Sequence, residues 1–228
     1  FKNCKIFSTK IHSLTTSKIT IENSELNNVE FFDSELDITL KNTRVIESGM
    51  FGGLKSGSRV TLEDSYIGPY SDFSHSNLAF FKAVNSELDS FAMGDSIYEM
   101  ILDRSKLDFT LGNAAINRLT VTNCSIDRLS HGEAIIKHTS INNCANPAEI
   151  YFIGSTLGDV NIRDCDLSEF VTIKSKIGSI NIVNSKIGKT ISSETLAKEF
   201  ILHNVAVIGE TDFNGAMADD SDLFKVPF

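Results

Sequence analysis

Tryptophan is absent from this 228-residue chain, and proline occurs only three times. A chain so poor in proline is not a proline-rich, disordered linker. No apolar run is long enough to span a bilayer as a helix, and no signal-peptide pattern opens the sequence. Excess positive charge is missing too. The formal charge is −9, which argues against nonspecific binding to nucleic acid or to an anionic membrane. There is no phosphate-cradling loop, dinucleotide fingerprint, HExxH or nucleophile elbow, and no CxxC pair. Neither cofactor nor metal is expected.

What is present is a core-forming composition, 41% apolar, with aromatics skewed to 16 Phe against 4 Tyr. The chain starts at Phe1, so it is expected to be a piece of a longer protein.

The organising stretch runs from Ser155 to Ile187. Leu157, Ile162, Leu167, Ile177, Ile182 and Ile187 fall on one five-residue grid, with Thr172 its only polar occupant. Two residues before each centre lies a second regular position: Ser155, Val160, Cys165, Phe170, Ser175, Ile180 and Ser185. It alternates between small and large. No helix has a period of five, and a plain strand has a period of two. A short repeat of this kind marks a coil stacked on itself.

The same grid runs from Ile6 to Leu36 and then slips by one to Leu40, Val45 and Met50. FGGLKSGS, residues 51–58, holds three Gly and two Ser and reads as a flexible surface excursion. The grid resumes at Leu62 and Ile67. A further slip leads to Phe73, Leu78, Ala83, Leu88, Met93 and Tyr98 as inward centres. Ile116 to Ile141 form a clean register that includes His131, and Phe152 to Val207 complete it. ISSETLAKEFIL, residues 191–202, could start a short helix but fits the grid, and coil is preferred. Phe213, Ala218 and Leu223 continue the grid, so the acidic C-terminal stretch is expected to be folded coil.

Four five-residue sides close a coil of about 20 residues, with the centre and the residue two before it pointing inward. The chain then makes about eleven coils, a rod on the order of 50 Å at strand spacing. Inward residues must match every twentieth position: Leu157 with Ile177, Ile162 with Ile182, Leu167 with Ile187 and Val207, Ile6 with Leu26, Ile11 with Phe31. Each buried Leu, Ile or Phe contributes roughly 1.5–3 kcal/mol. Outward Ser, Asn and Asp suit corners, because their side chains bond to nearby backbone. The expected fold is thus all-β, one solenoid domain over residues 1–228.

TDFNG-AMADD-SDLFK (residues 211–225) and SNLAF (residues 76–80) resemble the repeats of the pentapeptide-repeat family. The family's loose consensus is Ala, Asp or Asn, Leu, then two variable residues. The resemblance implies a right-handed parallel quadrilateral β-helix over nearly the whole chain. Many of the positions two before a centre carry Val, Ile, Phe or Leu where the family prefers a small residue.

All four cysteines, Cys4, Cys124, Cys144 and Cys165, occupy the inward position two before a centre. The last three should form a vertical column. A metal or disulfide can be imagined there, but small buried apolar residues are the commoner use of cysteine. Reduced thiols and a reducing compartment are expected, either a bacterial cytoplasm or a host cytosol into which the protein is delivered. His131 could serve as a general base, but no partner is placed for it, and a core histidine is the simpler account. Lys174, Lys176, Lys186 and Lys189 read as a small basic patch.

The expected function is a non-catalytic protein-binding scaffold. The resemblance implies the substrate- or partner-recognition part of a bacterial effector. Partner-binding residues are sought at Glu25, Asp33, Glu35 and Asp37, which are acidic and close in sequence, and at Phe32 and Phe80, each next to an inward Phe. A protein partner is expected, with no direct nucleic-acid binding and no membrane. A terminal coil with open edges can also pair two copies into a homodimer. Two alternatives stand beside this reading. One is a DNA-mimicking binder of a type II topoisomerase, motivated by acidic clusters at both ends. The other is a carbohydrate-active β-helix enzyme, which would need grooves built from long loops.

Overall fold

A computed structural model describes residues 1–15, 17–46, 51–69, 71–73, 75–93, 95–144, 146, 148–215 and 217–218. The expected centres Thr16, Met50 and Leu223 lie outside them. The described residues are all β, without a helix, and wind as a parallel β-solenoid of about ten turns with about 20 residues per turn. Each turn contributes a strand to each of two parallel sheets, one of 13 strands and one of 11, so that successive strands alternate between them.

The expected vertical files are present as strand registers. Leu157 pairs with Ile177 and Ile162 with Ile182. Leu167 pairs with Ile187, which pairs with Val207. Ile6 pairs with Leu26 and Ile11 with Phe31. Residues 191–202 enter the strands Lys186–Ser193 and Leu196–His203, as preferred over a helix.

Each turn has four short segments, seen clearly between Ser155 and Lys174. The inward pairs are Ser155 and Leu157, Val160 and Ile162, Cys165 and Leu167, Phe170 and Thr172, all buried. Two kinds of corner separate them, and these explain why the first residue of each pair alternates in size. At Asp164 (φ 54) and Lys174 (φ 52) the backbone enters the left-handed region. The next residue, Cys165 or Ser175, follows that tight corner, and a small polar side chain there can reach backbone. At Gly158 and Ser168 the chain bends within a strand, and the following inward slot accepts Val160 or Phe170.

The small slots form polar rungs inside the wall. Ser175 Oγ donates to the carbonyls of Ile173 and Phe152, each at 3.0 Å, and accepts the Ser155 N–H at 3.1 Å. Ser65, Ser86 and Ser105 repeat this pattern turn after turn. Cysteine takes the same position: the Ser105 N–H reaches Cys124 Sγ at 3.5 Å. A buried hydroxyl is tolerable only because it is paired, and these are.

The left-handed corner of the second segment carries an asparagine ladder. Asn23 Nδ2 donates to Asn3 at 3.2 Å, Asn42 to Asn23 at 2.9 Å, Asn143 to Asn123 at 2.7 Å, and Asn204 to Asn184 at 2.9 Å. Asn tolerates this conformation better than most residues. Its amide donates along the rod to the turn before, where the expectation was a bond to nearby backbone.

Two expectations are corrected. Residues 51–58 are not an excursion. Phe51 is fully buried and stacks between Phe31 (5.3 Å) and Phe73 (4.6 Å), and Leu54 is buried with its N–H on Ser76 Oγ at 3.1 Å. The glycines serve the coil: Gly53 adopts φ 75 at a corner where Asp33 has φ 55. Tyr98 is not an inward centre. Ile97 pairs with Leu78 and Ile116 and is buried, which turns Tyr98 outward at 68% exposure.

Candidate interaction surface

With the interior filled, outward side chains repeat in files along the rod. Several files alternate in charge and pair with themselves. Lys2 meets Glu22 at 3.5 Å, Lys5 meets Glu25 at 3.9 Å, Lys10 meets Glu30 at 3.0 Å and Lys41 meets Glu63 at 2.9 Å. Such exposed pairs add little stability, but they offset part of the acidic cluster near the start, Glu22, Glu25 and Glu30.

The sequence-predicted binding residues are scattered by the coil. Glu25 lies in the third segment, beside Lys5. Phe32 and Asp33 stand at the corner between the fourth and first segments, where Asp33 meets Lys55 at 3.3 Å. Phe32 is half-buried, edge-on to His12 at 4.7 Å, with the Lys10 ammonium 5.9 Å from its ring. Glu35 faces out of the first segment. Asp37 and Phe80 share one file on either side of Arg59, and the Arg59 guanidinium covers the Phe80 ring at 4.4 Å. These residues do not form one patch. The four lysines do not either: Lys176 lies in one sheet and Lys186 in the other.

The polar constellations have structural partners. Asp159 sits between His138 (3.2 Å) and Ser179, whose hydroxyl donates to it at 3.1 Å. The serine proton is thus directed to a carboxylate rather than to an imidazole, the reverse of what nucleophile activation needs. The Tyr151 hydroxyl lies 2.8 Å from Glu169 and 3.2 Å from Glu149. Burial and these carboxylates push its pKa up. His131 is fully buried, as expected of a core residue, and stacks on Phe152 at 4.8 Å. No group of three His, Cys, Asp or Glu able to hold a metal occurs among the described residues.

One surface differs from the charged files. Along the outer side of the first segment, Ala79, Tyr98, Ala115 and Ile135 line a shallow groove of about 530 Å³, with Asn77 and Asn117 between them. Tyr98 is 68% and Ile135 55% exposed. Lys137 is the one charged residue lining it among those described. Asp95 and Glu133, both exposed, stand in the adjoining corner file. Sequence reasoning missed this strip because it placed Tyr98 inside. The available signal was Ile97, which a slip one five-residue step earlier would have put on the grid. Ile135 was equally legible as the outward member of an Ile-Ile pair.

Fold and repeat together define a parallel β-solenoid built on five-residue units, the architecture of pentapeptide-repeat proteins. No protein-family model and no curated protein matches the chain. A solved structure that is similar is HetL, a pentapeptide repeat protein involved in heterocyst differentiation regulation from the cyanobacterium Nostoc sp.. The two share 10% identity over 98% of this chain and 93% of that one, with a TM-score of 0.34. The assignment of the fold rests on the strand registers themselves.

Proposed function

We propose that this chain is a non-catalytic protein-binding scaffold that holds a partner segment along the Tyr98–Ile135 strip. The observation that carries the reading is the exposure of Tyr98 and Ile135 in an almost uncharged groove. Exposed aromatic and aliphatic side chains clustered within a polar rim are what a protein partner buries. Two turns and two strand positions separate the two residues, so the anchors stand about 12 Å apart. Asp95 and Glu133 beside the groove, and a formal charge of −9, favour a partner whose apolar side chains are flanked by lysine or arginine. In a larger protein such as a bacterial effector, this strip would serve as the recognition surface. The ion-paired acidic files weigh against DNA mimicry, which needs unpaired negative charge. The short corners leave little material for a substrate cleft.

Peptide display against the whole chain tests this. Selected peptides should carry two apolar anchors next to basic residues. Their affinity should fall at least tenfold in Y98S/I135S, with an unchanged thermal midpoint, and should hold in Y66S on another face. Peptides that bind the double variant equally well would sink the proposal.

A further inference from the structure

The column of small inward slots holds cysteine in three consecutive turns, Cys124, Cys144 and Cys165, all buried and unbridged. Neighbouring turns are in register here. Val121 pairs with Ile141 and Thr122 with Asn142, and likewise Ile141 with Ile162 and Asn142 with Arg163. In-register neighbours at strand spacing have Cα atoms about 4.8 Å apart, inside the range a disulfide spans.

The three thiols are not equivalent. Cys124 bonds only to backbone: its S–H points to the Thr122 carbonyl at 3.3 Å, and its sulfur accepts the Ser105 N–H. Cys144 likewise points its S–H to its own turn, at the Asn142 carbonyl 3.4 Å away. The Cys165 sulfur, however, also leans across to the turn that holds Cys144, 3.7 Å from the Ile141 carbonyl as well as 3.1 Å from that of Arg163. The interaction of these two neighbouring thiols holds Cys165 below its ordinary pKa and, with burial, pushes Cys144 up. Cys165 is also the least covered of the three, at 5% exposure against 1% for Cys144. A sulfur that is both easier to ionise and nearer solvent meets an oxidant first.

We propose that Cys144 and Cys165 form a redox dithiol whose oxidation by a peroxide clamps two adjacent turns of the solenoid. The Cys165 thiolate attacks the peroxide O–O bond and becomes a sulfenic acid, and hydroxide leaves to be protonated as water. The Cys144 sulfur then displaces the sulfenic oxygen, its proton leaving with that oxygen as a second water, and the S–S bond forms. Two thiols and one hydrogen peroxide thus give one disulfide and two waters. Cys124, whose sulfur bonds to the Thr122 carbonyl and the Ser105 N–H and not toward the turn of Cys144, stays reduced.

The test exposes the folded chain to hydrogen peroxide, alkylates free thiols in denaturant, and maps the peptides by mass. A C4S background removes the partly exposed Cys4. A loss of about 2 Da and one crosslinked peptide joining Cys144 to Cys165 are expected. C124S should keep the crosslink; C144S and C165S should each lose it. These variants should fold, because serine already occupies the equivalent slot at Ser24, Ser65, Ser86, Ser105 and Ser185. Three results would overturn the proposal: a Cys124–Cys144 crosslink in preference, over-oxidation of Cys165 with no crosslink, or three thiols untouched while the chain is folded.

Discussion

His131 lies between Leu111 and Phe152 in one interior file, with neither ring nitrogen hydrogen-bonded. Burial holds its pKa down at about 3, against an ordinary value of 6.5. The unfolded chain therefore binds a proton that the folded chain refuses between those values. Its contribution to stability is intact above pH 6.5 and is lost as pH falls from 6.5 toward 3. The loss is about 1.4 kcal/mol per pH unit in that window. Phenylalanine suits this file, where Phe31, Phe51 and Phe73 already stack. We expect H131F to remove this part of the acid sensitivity. In urea denaturation, its stability advantage over the parent should widen by more than 2 kcal/mol between pH 6.5 and pH 4. An advantage that stays constant with pH would show that the ring finds a partner. The histidine was legible as a core residue from its grid position, and no catalytic partner was placed beside it; that neither ring nitrogen bonds to anything was not legible, because that depends on which groups surround it.

Strands and corners have their own tolerances. The bend inside each strand brings one turn's backbone close to the next. A Cβ built on Gly158 would lie 2.1 Å from the Lys137 carbonyl oxygen, and one on Gly178 would lie 2.8 Å from that of Gly158. Backbone cannot yield as a side-chain tip can, so G158A should destabilise the fold by about 1–3 kcal/mol. Thermal denaturation should show a lower midpoint for G158A and a smaller drop for G178A. The five-residue spacing announced these corners but not their two kinds. The bend sits one residue after a centre, as Gly158 after Leu157, and the left-handed corner two after, as Asp164 after Ile162; only the inter-turn contacts show which of them excludes Cβ and which wants asparagine.

Across the whole molecule, contacts run mainly between successive turns, as the pairings of each strand with its neighbours before and after show. A solenoid of this kind is stable roughly as the sum of its units and their interfaces. Excising residues 155–174, one complete turn, joins Gly154 to Ser175, which occupies the same slot as Ser155. The shortened chain should fold with β-type circular dichroism and a lower midpoint. Excising the ten residues 155–164 instead joins Gly154 to Cys165, puts the third segment's residues in the first segment's place and should prevent cooperative folding. Equal behaviour of the two deletions would mean that the twenty-residue period does not govern assembly.

The sequence alone determined the period, the inward files and the stacking of Leu167, Ile187 and Val207, because burial selects apolar side chains at every position that meets the axis. It also placed the cysteines in one column. Tertiary structure decided what one-residue slips hide: that Ile97 rather than Tyr98 enters the core, and that Phe51 and Leu54 belong to the wall. A slip costs the chain only a corner residue, which any polar side chain can supply, so composition leaves no mark of where it falls. Contact with the turns on either side does, and that contact leaves Tyr98 and Ile135 facing solvent.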